Sequence, residues 1–349
     1  MTEMSAQPAP LAAARSPRIA VVGATGAVGI EILRCLEDRN FPVGGLRLLA
    51  SARSAGRVLP FAGREVAIEA LTEDSFRDID VALFSAGATI SRKFAPIAVQ
   101  AGAVVIDNSS AFRMEDQVPL VVPEVNGDAT AAHRGIIANP NCVAAIMVMA
   151  LAPLHRAQPI RRIHAATYQS ASGAGAAAME ELRQATAAHL ADQPFQHSVL
   201  PHPYAFNLFS HNAAIDEDSG YNGEELKAMA ETRRILGTPD LPISITCVRV
   251  PVLRAHSIAL TIEFDAPMAP EEARRLLSAA PGVKVVDDRA GNHFPMPSEA
   301  SGQDDVLVGR IRRDIGDPTG RSIALFVSGD QLLKGAALNA VQIAEQLYR

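Results

Sequence analysis

The side chains best placed to do chemistry are few. Asn139-Pro140-Asn141-Cys142 is a polar turn that ends in a cysteine and runs into the apolar segment 143–154. Asn141 is a favourable N-cap, so Cys142 is expected in the first turn of a helix. There the positive end of the helix dipole and the free backbone amides should lower the thiol pKa, and the same amides suit an oxyanion. Most cysteines are small buried hydrophobes. Cys35, in an amphipathic stretch, and Cys247, in a strand-like run, fit that description. Cys142 fits it less well, because polar and turn residues lead into it.

A second group surrounds Gly23, Gly26 and Gly29 in "VVGATGAVG" (21–29). An apolar strand precedes the glycines and a helical pattern follows. A helix N-terminus presents unpaired amides that suit a pyrophosphate, and glycine lets the backbone approach it. The spacing is GxxGxxG rather than GxGxxG, so the strand–turn–helix context carries the reading. The next strand, 46–50, ends in "LLASARSAG", where an NAD site usually carries an acid for the ribose hydroxyls. Ser51, Arg53 and Ser54 stand there instead. A guanidinium flanked by hydroxyls suits a 2′-phosphate, so NADP is the expected cofactor; the alternative is a solvated loop arginine. A helix-capped cysteine beside a nicotinamide nucleotide points to thioester chemistry, with hydride given or taken at the same carbon.

These groups need elements to hold them. Strand and helix patterns alternate, which predicts an α/β architecture. A strand at 18–26 runs into the glycine turn, a helix follows at 27–39, and further strands are expected at 46–50, 81–87 and 103–110, with a helix at 90–101. Beyond Cys142 the texture changes. Helices are expected near 173–191 and 222–236, strands near 160–170, 243–249, 256–265 and 305–313, and an amphipathic helix at 331–348. At 349 residues, two domains are expected. The net charge of −6 gives no support for nucleic-acid or anionic-membrane binding. The longest apolar runs are too short to span a bilayer. Three widely spaced cysteines without a CxxC argue against a disulfide framework or a zinc site, and they fit a reducing cytoplasm. The Ala- and Pro-rich N-terminus has no signal-peptide pattern and reads as a tail.

Taken together, "GATGAVG", "SARSAG", "NPNC", "YQSASGAG", "YNGEELK", "VRVPVLRAHS" and "GDQLLKGAALNAV" resemble the aspartate-β-semialdehyde dehydrogenase family, in its bacterial NADP-using branch. The motifs run in the family's order from residue 23 to residue 341. The resemblance implies a disordered tail (1–16), a Rossmann-like dinucleotide-binding domain (17–141), an α+β catalytic and dimerisation domain (142–328) and a C-terminal helix (329–349) packing back on the first domain. It implies a homodimer acting on a small molecule, with no metal, nucleic acid or membrane partner. The implied reaction is NADPH-dependent reductive dephosphorylation of L-aspartyl-4-phosphate to L-aspartate 4-semialdehyde, in biosynthesis of the aspartate family of amino acids and diaminopimelate. Residue by residue, Cys142 matches the acyl-thioester nucleophile, His256 the acid/base and Gln169 a residue orienting substrate near the thiol. Arg249 matches the binder of the substrate α-carboxylate. Arg113 and Lys227 match the phosphate site, Glu224 lies near the substrate amine, and Asn141 belongs to the same substrate site. Gly23, Thr25, Gly26, Ala27, Val28, Arg53, Ser54, Ser85, Ser172, Gly173 and Gln331 match cofactor contacts.

Read without the resemblance, Glu224 and Lys227 are a solvated pair on one helix face, Arg113 a surface arginine after a strand, and His256 a core histidine. Arg249 and His256 raise a geometric problem. They are seven residues apart, so on one continuous strand they would point to opposite faces. Pro251 and "VPVLR" predict an interruption there, with no straight ladder from 245 to 262. Two rival functions remain at this stage. An N-acetylglutamyl-phosphate reductase-like enzyme shares the layout, but its acylated substrate has no free ammonium for the Glu224–Lys227 helix. A non-catalytic scaffold would be marked by loss of the cysteine, whereas Cys142, Gln169 and His256 are all present.

Overall fold

Apolar runs without alternation, such as 19–22, need both faces of their strand covered. The computed structural model, which describes residues 16–348, supplies that cover. The N-terminal segment read as a tail lies outside the described residues, apart from Ser16. The first sheet holds β1 (Arg18–Val22), β2 (Gly45–Ala50), β3 (Val58–Phe61), β4 (Arg64–Ala70), β5 (Val81–Phe84), β6 (Val104–Asp107) and β7 (Ile136–Ala138), in the order β3-β4-β2-β1-β5-β6-β7. All neighbours run parallel except the β3–β4 edge hairpin. Helices α1 (Ala27–Asp38) and α2 (Ala88–Gln100) are crossovers, and a short α3 (Pro123–Asn126) precedes β7. The strand order turns back between β1 and β5, and such sheets bind ligands at the carboxyl ends of the strands flanking that switch point.

The second part begins with α4 (Cys142–Ala157) and β8 (Ile160–Gln169), followed by α5 (Ala176–Leu190), β9 (Phe209–Ser210), α6 (Gly223–Leu236), β10 (Ile243–Arg249) and β11 (His256–Phe264). Then come α7 (Pro270–Ser278), β12 (Val283–Val285), α8 (Pro297–Ala300), β13 (Val306–Arg313), β14 (Ser322–Gly329) and α9 (Leu338–Tyr348). Its strands form a mixed sheet in the order β12-β13-β14-β11-β8-β10-β9. The predicted interruption is present: β10 stops at Arg249 and β11 starts at His256. The two strands are not even neighbours, because β8 lies between them, parallel to β10 and antiparallel to β11. Ala255, just before His256, takes a left-handed φ of 71°, which completes the turn.

Helix α4 is apolar on nearly every face, as a helix buried all round must be. It packs between the sheets, with Val22, Phe84 and Val105 of the first and Ile163, Ile258 and Val327 of the second in one core. A second core joins Ile19, Val21 and Ile32 to Leu338, Val341 and Ile343, so the C-terminal helix returns to the first sheet. The sequence reading differs in several places. Among the elements it lacked are the β3–β4 hairpin, β9, α7, β12 and β14. It also extended the last helix to residue 331, whereas a wide π-type turn occupies Leu333–Ala337 before α9 begins. Among the described residues no helix is long and apolar enough to cross a membrane. No group of three or more His, Cys, Asp or Glu among them is placed to hold a metal ion.

Candidate active site

Asn141 caps α4 as expected: its Oδ1 accepts the Val143 N–H at 2.9 Å and the Ala144 N–H at 3.4 Å, leaving Cys142 at the first helical position. Such a cap contributes about 1 kcal/mol. The other end of the same side chain reaches across the cleft, where Asn141 Nδ2 donates to Glu224 Oε1 at 3.0 Å. Gln169, the last residue of β8, donates to the same carboxylate oxygen at 3.1 Å and accepts the Thr167 hydroxyl at 3.0 Å. Burial alone would push the Glu224 carboxyl up; facing His211, the two amide donors and Lys227 outweigh it and hold it below the usual range.

The expectation of a lowered thiol pKa is corrected here. Cys142 keeps some exposure, but protein packs closely around its sulfur. Burial pushes the thiol up to about 12, and the Glu224 carboxylate adds to the rise. Arg249, Arg113 and the Val143 N–H act in the opposite direction and are outweighed. The local argument from the helix end had the right sign; the surrounding tertiary structure overrides it.

Arg249 ends β10 directly opposite Gln169 in the parallel register. Its guanidinium is buried and donates to Ser170 O at 3.2 Å, His211 Nε2 at 2.8 Å and Asn212 Oδ1 at 3.4 Å. None of these acceptors is a carboxylate. His256 begins β11, fully buried. Its Nδ1 accepts the Ser170 backbone N–H at 3.0 Å, so in the neutral ring the proton belongs to Nε2. That Nε2 is buried and has no partner among the described residues. Burial first, then the charge of Arg249, pushes the imidazole well below the ordinary histidine value, so the ring is neutral.

Gly173 lies against both groups. A Cβ there would sit 2.9 Å from His256 Nε2 and 3.1 Å from Arg249 Nη1. Gly173→Ala is therefore expected to lower kcat/KM by about tenfold or more through misplacement alone. Kinetics run beside a thermal melt check this, because the melt should barely move.

The C-terminal segment closes the site. Gln331 accepts the Ala255 N–H at 3.0 Å and donates to the Ser172 hydroxyl; Ser172 and Ser170 hydroxyls are 3.0 Å apart, and Ser170 Oγ is 3.0 Å from His256 Nδ1. Two residues assigned to the cofactor, Ser172 and Gln331, thus touch the network that holds His256. Buried Asp330 accepts Arg254 Nε at 2.6 Å, and Arg254 Nη1 reaches Glu31 of α1 at 2.8 Å, tying this segment to the first sheet's helix. The π-type turn brings Gly335 against Cys142, since a Cβ at 335 would lie 2.8 Å from Cys142 Cβ.

At the switch point, a cavity of about 440 Å³ is lined by Gly23, Thr25, Gly26, Ser51, Ser85 and Phe94, among others. Gly23 has φ 86°, and a Cβ on it would meet the Ser85 backbone at 2.9 Å, so the cradle needs glycine there. Ser85 Oγ donates to Val22 O at 3.1 Å and Gly23 O at 3.3 Å, fixing the floor of the turn. Ala27 and Val28 open α1 directly above it. Arg53 and Ser54 lie on a short 3-10 turn, Ala52–Ser54, after β2; Arg53 is exposed and has no ion-pair partner among the described residues. The residues present fit a dinucleotide: a glycine cradle at a helix N-terminus, an apolar wall at Leu71, Ile90 and Phe94, and no acid at the end of β2.

Arg113 is neither a surface arginine nor an open cation. It is buried, and its Nη1 pairs with Glu231 at 3.1 Å while Nε and Nη2 donate to Asn139 O and Asn108 O. Lys227, one turn from Glu224, is exposed. Sequence reasoning missed Glu231, which also accepts the Asn141 N–H, and Ser170 and His211, which hold His256 and Arg249. Glu231 lies seven residues after Glu224 on α6, two helical turns along the same face, and that spacing was the one available signal.

Two family models match: one described as semialdehyde dehydrogenase, NAD binding domain, over residues 18–133, and one described as semialdehyde dehydrogenase, dimerisation domain, over 151–334. The chain is 54% identical to the aspartate-semialdehyde dehydrogenase of Synechocystis, covering 95% of this chain and 97% of the relative. It is 46% identical to that of Bacillus subtilis, over 96% and 98%. Among solved structures, aspartate semialdehyde dehydrogenase II of Vibrio cholerae complexed with ASA superposes with a TM-score of 0.92 at 43% identity, over 96% of this chain and 98% of that one. A nucleotide cradle, a helix-capped cysteine and full-length similarity agree: the chain belongs to the aspartate-semialdehyde dehydrogenase family.

Proposed function

We propose that the protein reduces L-aspartyl-4-phosphate to L-aspartate 4-semialdehyde, with NADPH as reductant and Cys142 as the covalent nucleophile. The observation that carries this is the set of groups around one thiol. Arg249 offers a buried fork that pairs with no carboxylate among the described residues, which suits an α-carboxylate. Glu224, ionised and buried on the other side, suits an α-ammonium. Gln169 and Asn141 hold that carboxylate in place. An N-acylated substrate would leave Glu224 without its cation, which disfavours the acetylglutamyl reading.

In the proposed sequence the Cys142 sulfur attacks the acyl phosphate carbon, the C–O bond to phosphate breaks, the thiol proton leaves with the phosphate and a thioester remains. Arg113 and Lys227 are proposed to receive that phosphate, with Lys227 the more open of the two because Glu231 already balances Arg113. NADPH, when bound, supplies hydride to the thioester carbon. His256 Nε2–H then faces the resulting oxyanion; as the C–S bond breaks the oxygen becomes the aldehyde carbonyl, and His256 supplies its proton to the departing sulfur. Gly23, Thr25, Gly26, Ala27, Val28 and Ser85 are proposed to cradle the dinucleotide, with Ser172, Gly173 and Gln331 beside its reactive end. Arg53 and Ser54 are assigned the 2′-phosphate.

We propose the domain division that the resemblance implies, at 17–141, 142–328 and 329–349; the two sheets and the returning C-terminal helix support it. The dimerisation-domain match supports a homodimer, as does the outer face of the second sheet, where Tyr168 and Phe326 pair at 6.0 Å. The three free cysteines suit a reducing cytoplasm.

The direct test is phosphate-dependent reduction of NADP with aspartate semialdehyde, run beside N-acetylglutamate semialdehyde. Turnover with the first alone is expected; a preference for the second overturns the substrate assignment. For the cofactor, Arg53→Ala should raise the KM for NADPH by about tenfold or more and leave that for NADH unchanged, because a lost charge-assisted bond to phosphate has that size. Equal effects on both nucleotides would remove the 2′-phosphate assignment.

A further inference from the structure

Arg249 poses a problem that its neighbours solve in an unusual way. A buried guanidinium is normally pinned by carboxylates, as Arg113 is by Glu231, and the half-buried Arg254 is held likewise by Asp330 and Glu31. Carboxylates give the side chain a fixed aim, but they also cancel the charge that an incoming anion needs. Arg249 has a fixed aim without that cancellation. Its shortest contact is to a histidine ring, His211 Nε2 at 2.8 Å, and the other two acceptors are a backbone carbonyl and an amide oxygen.

We propose that His211 is the positioning residue of the substrate-carboxylate site: its ring nitrogen holds one arm of the Arg249 fork, aiming it while leaving its charge free for the ligand. This rests on the proposed reading of Arg249 as the carboxylate binder. The backbone makes the clamp rigid. Phe209 and Ser210 pair with Arg249 and Val248 in the β9–β10 ladder, and the His211 N–H donates to Cys247 O at 2.9 Å. The ring is therefore anchored to the same strand that carries the arginine. Its other nitrogen faces the Ala213 N–H at 3.2 Å. A neutral imidazole has one accepting nitrogen, and the shorter, charge-assisted contact assigns it to Nε2. Protonation would set an N–H against both donors. Consistent with that, burial, Arg249 and Lys227 push the ring down to about 4 against the opposing pull of Glu224, so the clamp is uncharged at working pH.

Three substitutions separate aim from charge. His211→Gln keeps a neutral acceptor, His211→Leu removes it, and His211→Glu keeps an acceptor but cancels the charge. With aspartate semialdehyde, His211→Leu is expected to raise KM about tenfold with kcat within about threefold, and His211→Gln to stay within about threefold of wild type. His211→Glu should bind substrate most weakly of the three, and the KM for NADP should not move in any. A KM within about twofold of wild type for His211→Leu, or a His211→Gln variant as weak as His211→Leu, overturns the proposal. Equilibrium binding of L-2-aminobutyrate, which carries the α-carboxylate and α-ammonium without a reactive carbonyl, gives the same ranking independently of turnover. If that ranking appears while aspartate semialdehyde is not turned over, the proposed reaction fails and the clamp stands. If the amino acid binds all four proteins equally, the clamp fails.

Discussion

Cys142→Ser should lower kcat by about four orders of magnitude or more, while the nucleotide still binds. The hydroxyl would occupy the same first-turn position under the same Asn141 cap, so geometry would be preserved and chemistry alone lost. An alkoxide is far harder to form than a thiolate, and an ester is a poorer hydride acceptor than a thioester. The measurement is steady-state turnover together with mass spectrometry for an acyl adduct, expected on wild type only. Turnover above about one hundredth of wild type in the serine variant would end the covalent mechanism. The raised thiol sharpens this into a second readout. In the ligand-free protein Glu224 helps keep the sulfur protonated and Arg249 opposes it. Alkylation of Cys142 by iodoacetamide at neutral pH should therefore speed up in Glu224→Gln and slow in Arg249→Leu. An ammonium bound against Glu224 would offset the same repulsion, which makes substrate binding and sulfur activation a single event.

His256→Asn should cost about two to four orders of magnitude in kcat, the range for a positioned proton donor. The donor assignment follows from Ser170: its backbone N–H occupies Nδ1, leaving the proton on Nε2, which has no partner among the described residues. The sign of the pH dependence follows as well. A histidine whose folded pKa is depressed well below about 6.5 stays neutral as the pH falls through that value. The kcat/KM profile, which reports groups of the free enzyme, should thus show no histidine limb between about pH 5.5 and 7.5. A limb centred near 6.5 that vanishes in His256→Asn would contradict the buried neutral ring.

Legibility in the sequence followed the range of the interactions. The first strand, its glycine turn and α1 could be read because an unbroken apolar run, a glycine cluster and a helical period are adjacent in the chain. The Asn141 cap and the break before His256 were equally local, the latter signalled by Pro251. The β3–β4 hairpin escaped although Val66, Ile68 and Ala70 alternate along β4, because β3 is a short, half-exposed edge strand carrying Pro60 and β4 opens on charged residues. Strand β14 is buried along nearly all its length, and a short apolar run has no period to separate strand from helix. The thiol was misjudged for the same reason of range. The helix end lies beside Cys142 in the chain, whereas Glu224 arrives from 82 positions away and desolvation from every element around it.

The core of the first sheet is completed by residues near the end of the chain: Leu338, Val341, Ile343 and Ala344 seal the face formed by Ile19, Val21 and Ile32. During synthesis the nucleotide-binding strands emerge early, yet the apolar side they share with this helix stays uncapped until almost the whole polypeptide has left the ribosome. The same late segment places Gln331 against the Ala255 backbone and Gly335 against Cys142. Nascent chains consequently carry a sticky, catalytically incomplete half for most of translation, and the last twenty or so residues both bury that surface and switch the enzyme on.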